Sequence, residues 1–227
     1  IVYHAHGGFV IGSESLGGAK NISVRNCIFL GTDVGLRFKS LRGRGGLIED
    51  IFVDGVRMRS IVNEAILFDM YYGGGSPEVE ALKNREEPKA EPVNDLTPRF
   101  QNFVIKNIVC DGASRPLLID GLPEMPVRDV TITGVFVRAS AGCLIQDAQG
   151  ITLRDAQLSI PGGIAFDVHN STQIALKHIV VPSSTETYLR IQGSRTNGIS
   201  IVKEDASRAK NRVEVGPEAS NAAITTE

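Results

Sequence analysis

At 227 residues the chain is long enough for one large domain or two small ones, and it can bury a sizeable core. Its net charge of −2 and pI near 6.1 provide no basic field, which speaks against nucleic acid as a partner. No apolar run reaches the length of a bilayer-spanning helix, so no membrane partner is expected either.

The chain opens on an apolar pair, Ile1-Val2, with no Met before it. That reads as a cut through a longer protein and leaves a missing signal peptide uninformative. Residues 3–14, YHAHGGFVIGSE, come next: two histidines two apart, two glycines, then a short apolar run. From there an apolar-x-apolar-x-x-apolar template recurs. It reads ISVRNC from Ile22, IFVDGV from Ile51, FVIKNI from Phe103 and VTITGV from Val130. It continues as ITLRDA from Ile151, IALKHI from Ile174 and, more weakly, ISIVKE from Ile199. The steps are 29, 52, 27, 21, 23 and 25 residues, the 52 being two periods or one period with an insertion. A polar residue often precedes the template: Asn21, Asp50, Asn102, Asp129, Gln173. A second short strand lies between templates, as in VGLRFKS, AILFDM, PLLIDG, GCLIQD and GIAFDV.

A period in the twenties with two or three short strands per unit predicts a solenoid of stacked coils. Helical periodicity and leucine-rich spacing are both missing. The expected fold is therefore all-β, a right-handed parallel β-helix over residues 1–205 whose coils stack at about 4.8 Å. The polar residues before the templates fit a turn that repeats from coil to coil. Residues 72–98, rich in Gly, Pro and charge, read as a surface-loop insertion, either an excursion without function or one wall of a substrate groove. Residues 206–227 read as a polar tail that loses the repeat. Cys27, Cys110 and Cys143 have no metal-ligand spacing and each adjoins an apolar run, which predicts buried free thiols and no metal.

In GLRFKS, residues 35–40, strand alternation sends Leu36 and Phe38 to one face and Arg37 and Lys39 to the other. Two cations fixed on a stiff sheet form a receptor for a carboxylate, Arg as a planar fork and Lys as a point charge. His6 precedes Arg37 by 31 residues, close to one repeat, so the three can share a wall within about 5–10 Å. His4 has no such partner and reads as structural. Gly7 and Gly8 leave room for a ligand against the backbone, and Arg42, Gly43, Arg44, Gly45 and Gly46 form a basic turn nearby. Asp33 and Asp69 lie near this wall and read as turn or strand-end residues.

HGGFVIGSE followed by GLRFKS resembles the Gly-His-Gly and Arg-Ile-Lys motifs of glycoside hydrolase family 28, the polygalacturonases and their relatives. Ala5 stands where the first Gly would be, and Phe38 replaces Ile. The resemblance implies the same β-helical fold and hydrolysis of α-1,4-galacturonan with inversion. It implies that His6 orients or tunes a catalytic acid. Arg37 and Lys39 would hold the uronate carboxylate, and Tyr72 would stack on or hydrogen-bond the sugar. The family's Asn-Thr-Asp and Asp-Asp motifs precede its His motif and do not occur in these residues. The chain thus reads as the C-terminal part of such an enzyme, inactive by itself. The alternatives are a non-catalytic carbohydrate-binding or adhesin-like β-helix, or a rhamnogalacturonan hydrolase of the same family. The implied partner is pectic polysaccharide, with no cofactor, and the implied location of the parent protein is secreted or periplasmic. Self-association through the N-terminal coil is a further expectation.

Overall fold

The computed structural model describes residues 1–73 and 88–226, without the side chain of Glu204. It is a parallel β-helix. One sheet holds nine strands: β1 (Val2–Tyr3), β3 (Ala19–Leu30), β5 (Leu47–Arg59), β7 (Arg99–Ala113), β9 (Val127–Ala139), β11 (Ala148–Ser159), β13 (Thr172–Val180), β15 (Asn197–Ile201) and β17 (Ile224–Thr226). The other holds eight: β2 (Phe9–Ile11), β4 (Leu36–Lys39), β6 (Glu64–Asp69), β8 (Arg115–Asp120), β10 (Cys143–Gln146), β12 (Ile164–His169), β14 (Thr187–Gln192) and β16 (Asn211–Val215). Every strand pairs in parallel with its counterpart one coil away, and the core fills the space between the sheets.

The repeated templates stack residue on residue. Ile22 faces Ile51, Ile51 faces Phe103, Phe103 faces Val130, and the column runs on through Ile151, Ile174 and Ile199. The 52-residue step is therefore one coil plus an insertion. The irregular x-x within the template has a local cause. Its fifth residue is Asn26, Gly55, Asn107, Gly134, Asp155 or His178, and all six have positive φ. A left-handed residue breaks the period of two and returns the next apolar side chain to the core. The residue before each template does the same five positions earlier: Asn21, Asp50, Asn102, Asp129 and Gln173, with Gly150 and Gly198 in the remaining two coils. Asn, Asp and Gly recur there because the left-handed conformation strains other side chains. The columns also bond to one another: Asn102 Nδ2 donates to Asp50, Asn107 Nδ2 donates to Asp54 Oδ1 at 2.8 Å, and His178 Nδ1 meets Asp155 Oδ1 at 3.1 Å.

Two expectations change. The tail beyond residue 205 does not leave the coils: β16 pairs with β14, β17 pairs with β15, and each completes its sheet. One helical turn, α1 (Lys203–Ala206), leads into this segment and buries Ala206, while Asp205 Oδ2 accepts a hydrogen bond from Ile179 N at 2.8 Å. The segment's alternation, NRVEV, contains two valines and no larger apolar residue, so its strand signal in the sequence is weak. The expected insertion at 72–98 lies partly outside the described residues, at 74–87. Its described end is anchored. The Gly43 and Gly45 amides donate to Leu96 O, and Arg42 forks onto Glu124 at 2.7 and 2.9 Å while reaching Glu91 at 3.4 Å. Arg42 and Gly45 are thus fixed parts of a packed corner. Among the described residues no helix is long and apolar enough to cross a membrane.

Candidate functional site

The candidate site lies on the outer face of the eight-stranded sheet at β2, β4 and β6. Alternation works as the residue types dictate. Leu36 and Phe38 are fully buried in the core, where Phe38 packs on Phe68 and Phe103 with ring centroids 4.8 and 4.9 Å apart. That anchoring turns Arg37 and Lys39 outward. Arg37 faces Val10 below and Leu67 above, and Lys39 faces Asp69.

Arg37 is not an ordinary solvated strand residue. It is only 4% exposed. Its Nη1 donates to His6 O at 3.4 Å, and its Nε and Nη2 are buried with no hydrogen-bond partner. Buried polar groups are nearly always paired, so an unspent Nε–Nη2 edge calls for an explanation. That edge is one of the two sides on which a guanidinium can grip a carboxylate with two parallel bonds.

Tyr72 closes the third side. Its backbone N donates to Ser40 O at 3.0 Å, which fixes it to the end of β4. Its ring then lies against both cations, 3.9 Å from Lys39 Nζ and 5.2 Å from the Arg37 guanidinium carbon, measured to the ring centroid. Such contacts hold a cation against the face of the ring. Tyr71, next in sequence, turns instead to Arg42 and bridges to Leu41.

His6 sits beside this group, but its nearest side-chain partner is not a cation. Its Nδ1 lies 2.7 Å from Asp33 Oδ2, and its side chain is 95% exposed. The register explains the pairing. This coil measures 27 residues, as Val2 facing Phe29 and Phe9 facing Leu36 show, so the residue one rung above His6 is Asp33. The Asp33 amide also donates to Ala5 O at 2.9 Å. Arg37, at 31 residues, stands four positions further along the coil and reaches His6 only through its carbonyl. Asp33, expected as a turn residue, instead meets His6, and the 27-residue coil length is the signal that pairs the two. The Asp33 contact leaves His6 Nε2 free of it and fixes the ring's direction.

The two glycines serve packing. A Cβ on Gly8 would lie 2.2 Å from the Phe29 ring, and one on Gly7 would lie 2.3 Å from Val10 Cγ2. His4 has positive φ and covers Gly31, where a Cβ would meet its ring at 2.7 Å, in keeping with a structural residue. Glu64, at the start of β6, is 2% exposed and feels both Arg37 and Arg115; burial pushes its carboxyl above the ordinary range against the pull of those arginines. Among the described residues no group of three His, Cys, Asp or Glu side chains is arranged to hold a metal ion.

No family model matches the chain, and no solved structure matches it significantly. Curated proteins do. The chain is 31% identical over 167 residues to a probable polygalacturonase of Arabidopsis thaliana, covering 68% of this chain and 33% of that protein. It is 27% identical over 131 residues to a probable polygalacturonase of Vitis vinifera, covering 58% and 24%. It is 25% identical over 197 residues to a polygalacturonase of Ralstonia nicotianae, covering 81% and 32%. The chain thus spans a quarter to a third of the length of these relatives.

Proposed function

We propose that this chain is a polygalacturonase-like relative of glycoside hydrolase family 28 and that it binds a galacturonate unit of pectic polysaccharide through Arg37, Lys39 and Tyr72. The observation that carries the reading is the buried, unspent Nε–Nη2 edge of Arg37. A uronate carboxylate satisfies both nitrogens at once, Lys39 adds a second charge, and Tyr72 offers its ring to the sugar. His6, whose Nδ1 lies 2.7 Å from Asp33 Oδ2, positions or tunes on this reading the acid that protonates the leaving oxygen.

The proposed reaction of the whole protein is hydrolysis of α-1,4-galacturonan with inversion. One carboxylic acid protonates the glycosidic oxygen while another carboxylate, about 6.5–9.5 Å away, activates water. The family's Asn-Thr-Asp and Asp-Asp motifs supply that pair, and neither motif occurs in these 227 residues. On this reading the chain provides substrate-positioning groups and the histidine. The proposed location of the parent protein is secreted or periplasmic.

Calorimetric titration with unesterified and methyl-esterified oligogalacturonates tests the reading. Arg37→Ala should weaken the unesterified ligand by about 1.5–3 kcal/mol, the loss expected for a charge-assisted contact, and change the ester far less. Equal losses on both ligands would make Arg37 structural. The chain by itself should release no reducing ends from polygalacturonate; release that depends on His6 would relocate the chemistry.

A further inference from the structure

Glu64 is a buried carboxyl outside the proposed binding group. It opens β6, and the facing of Leu36 and Ile66 sets it one rung above Val34. Arg37 reaches back toward that end of the strand. Its Nη1 bonds the carbonyl of His6, and His6 lies one rung below Asp33, the residue before Val34. The guanidinium head is therefore drawn toward the strand entrance where Glu64 sits, and the Glu64 carboxyl feels its charge. From the next coil Arg115 faces Glu64 directly, yet its Nη1 donates onward to Gly142 O at 2.8 Å. Glu64 Oε2 is buried with no hydrogen-bond partner among the described residues, just as Arg37 keeps Nε and Nη2 unpaired. A buried acceptor and two buried donors thus stand on adjacent rungs, all unsatisfied, which is costly and rare.

We propose that Glu64 sets the affinity of the Arg37 site for an anion: neutral, it leaves the guanidinium to a ligand carboxylate, and ionised, it competes with that ligand for the same charge. The other acidic side chains nearby are engaged elsewhere. Asp33 lies 2.7 Å from His6, Asp69 faces Lys39, and Asp167, which acts with Cys143 on Arg115, is forked by Arg190. That leaves Glu64 as the carboxyl between Arg37 on β4 and Arg115 on β8. Burial outweighs the pull of both arginines and extends its neutral form to higher pH than an ordinary glutamate allows. Proton and ligand then favour one another. If the anion makes Glu64 hold its proton tenfold more tightly, reciprocity makes the protonated site hold the anion roughly tenfold more tightly.

The inference rests on the reading of Arg37 and Lys39 as galacturonate ligands, and calorimetry with an unesterified oligogalacturonate from about pH 5 to about pH 8, where the uronate stays ionised, tests it. At the upper end Glu64→Gln should bind roughly tenfold more tightly than the wild type, and the two should converge as pH falls. Comparison at each pH cancels the ionisation of His6 and Asp33, which both proteins share. The methyl ester should show no such divergence. Glu64→Asp keeps an ionisable group and should keep the fall in affinity with rising pH, which a packing defect does not produce. Parallel profiles for the wild type and Glu64→Gln, weaker binding by Glu64→Gln at every pH, or a flat profile in Glu64→Asp would each overturn the inference. Arg37→Ala separates it from the reading beneath it. Loss of the ligand there with parallel Glu64 profiles removes the inference alone, whereas undiminished binding by Arg37→Ala removes the reading and the inference with it.

Discussion

Arg37 and Glu64 are two buried ionic groups on adjacent rungs, and neither is neutralised by a close salt bridge from the other. Burial of a charge is tolerated only when a partner or a shifted equilibrium compensates. For Glu64, burial shifts the equilibrium toward the neutral carboxyl. Its folded pKa lies above its unfolded value, chiefly through desolvation, so the associated stability is present at acid pH and lost as pH rises through the folded value. Glu64→Gln should therefore raise the melting temperature at neutral pH, and the gain should shrink toward zero below about pH 4, where the unfolded carboxyl is also protonated. A gain that persists unchanged at acid pH would show that Glu64 acts through packing. For Arg37 the compensation proposed is the ligand.

At the scale of the element, the long strands depend on their left-handed residues. β7 runs 15 residues, beyond the usual strand length, and is bent at Asn102 and Asn107. Asn102 is exposed, with φ of 60°, and its amide bonds Asp50 on the rung below. Asn102→Val keeps a strand-forming side chain but forces a β-branched residue into the left-handed region. It should cost about 1–2 kcal/mol from the backbone alone, while Asn102→Gly should cost less; urea midpoints of the two variants check the order. The reverse order would mean that the side-chain bond outweighs the backbone strain. The sequence carried the first of these columns plainly, because Asn, Asp or Gln precedes most templates. It carries the second at Asn26, Gly55, Asn107, Gly134, Asp155 and His178, but there the residue types alternate between Asn, Asp, Gly and His and read as part of the strand.

Across the whole molecule, the core is one continuous column that every coil shares. Cys110 and Cys143 sit in it, and burial pushes both thiols up to about 12, whereas Cys27 lies part-exposed on β3 with its Sγ donating to Arg25 O at 3.4 Å. A chromogenic disulfide added at pH 8 should react with one thiol in the native protein and with all three in denaturant. Rapid reaction of two or more native thiols would mean that the coils open locally around Cys110 or Cys143.

What the sequence determined by itself was the coil. Ile22, Ile51, Phe103, Val130, Ile151, Ile174 and Ile199 can be aligned by eye, and the same alignment is the hydrogen-bonded register. Alternation and left-handed preference are local properties, so a short stretch suffices to state them. The outward direction of Arg37 and Lys39 follows from the same rule. Only the tertiary structure decided who meets whom across coils of unequal length. The arcs between the sheets vary, so 31 residues is not one rung where the coil measures 27, and His6 meets Asp33 instead of Arg37. It also decided which outward residues are covered. Arg37 loses its solvent because Tyr72, from the end of the next coil, and the His6 carbonyl, from the previous one, close over it. Burial of that kind sums contributions from segments distant in the chain, and no window of sequence contains it.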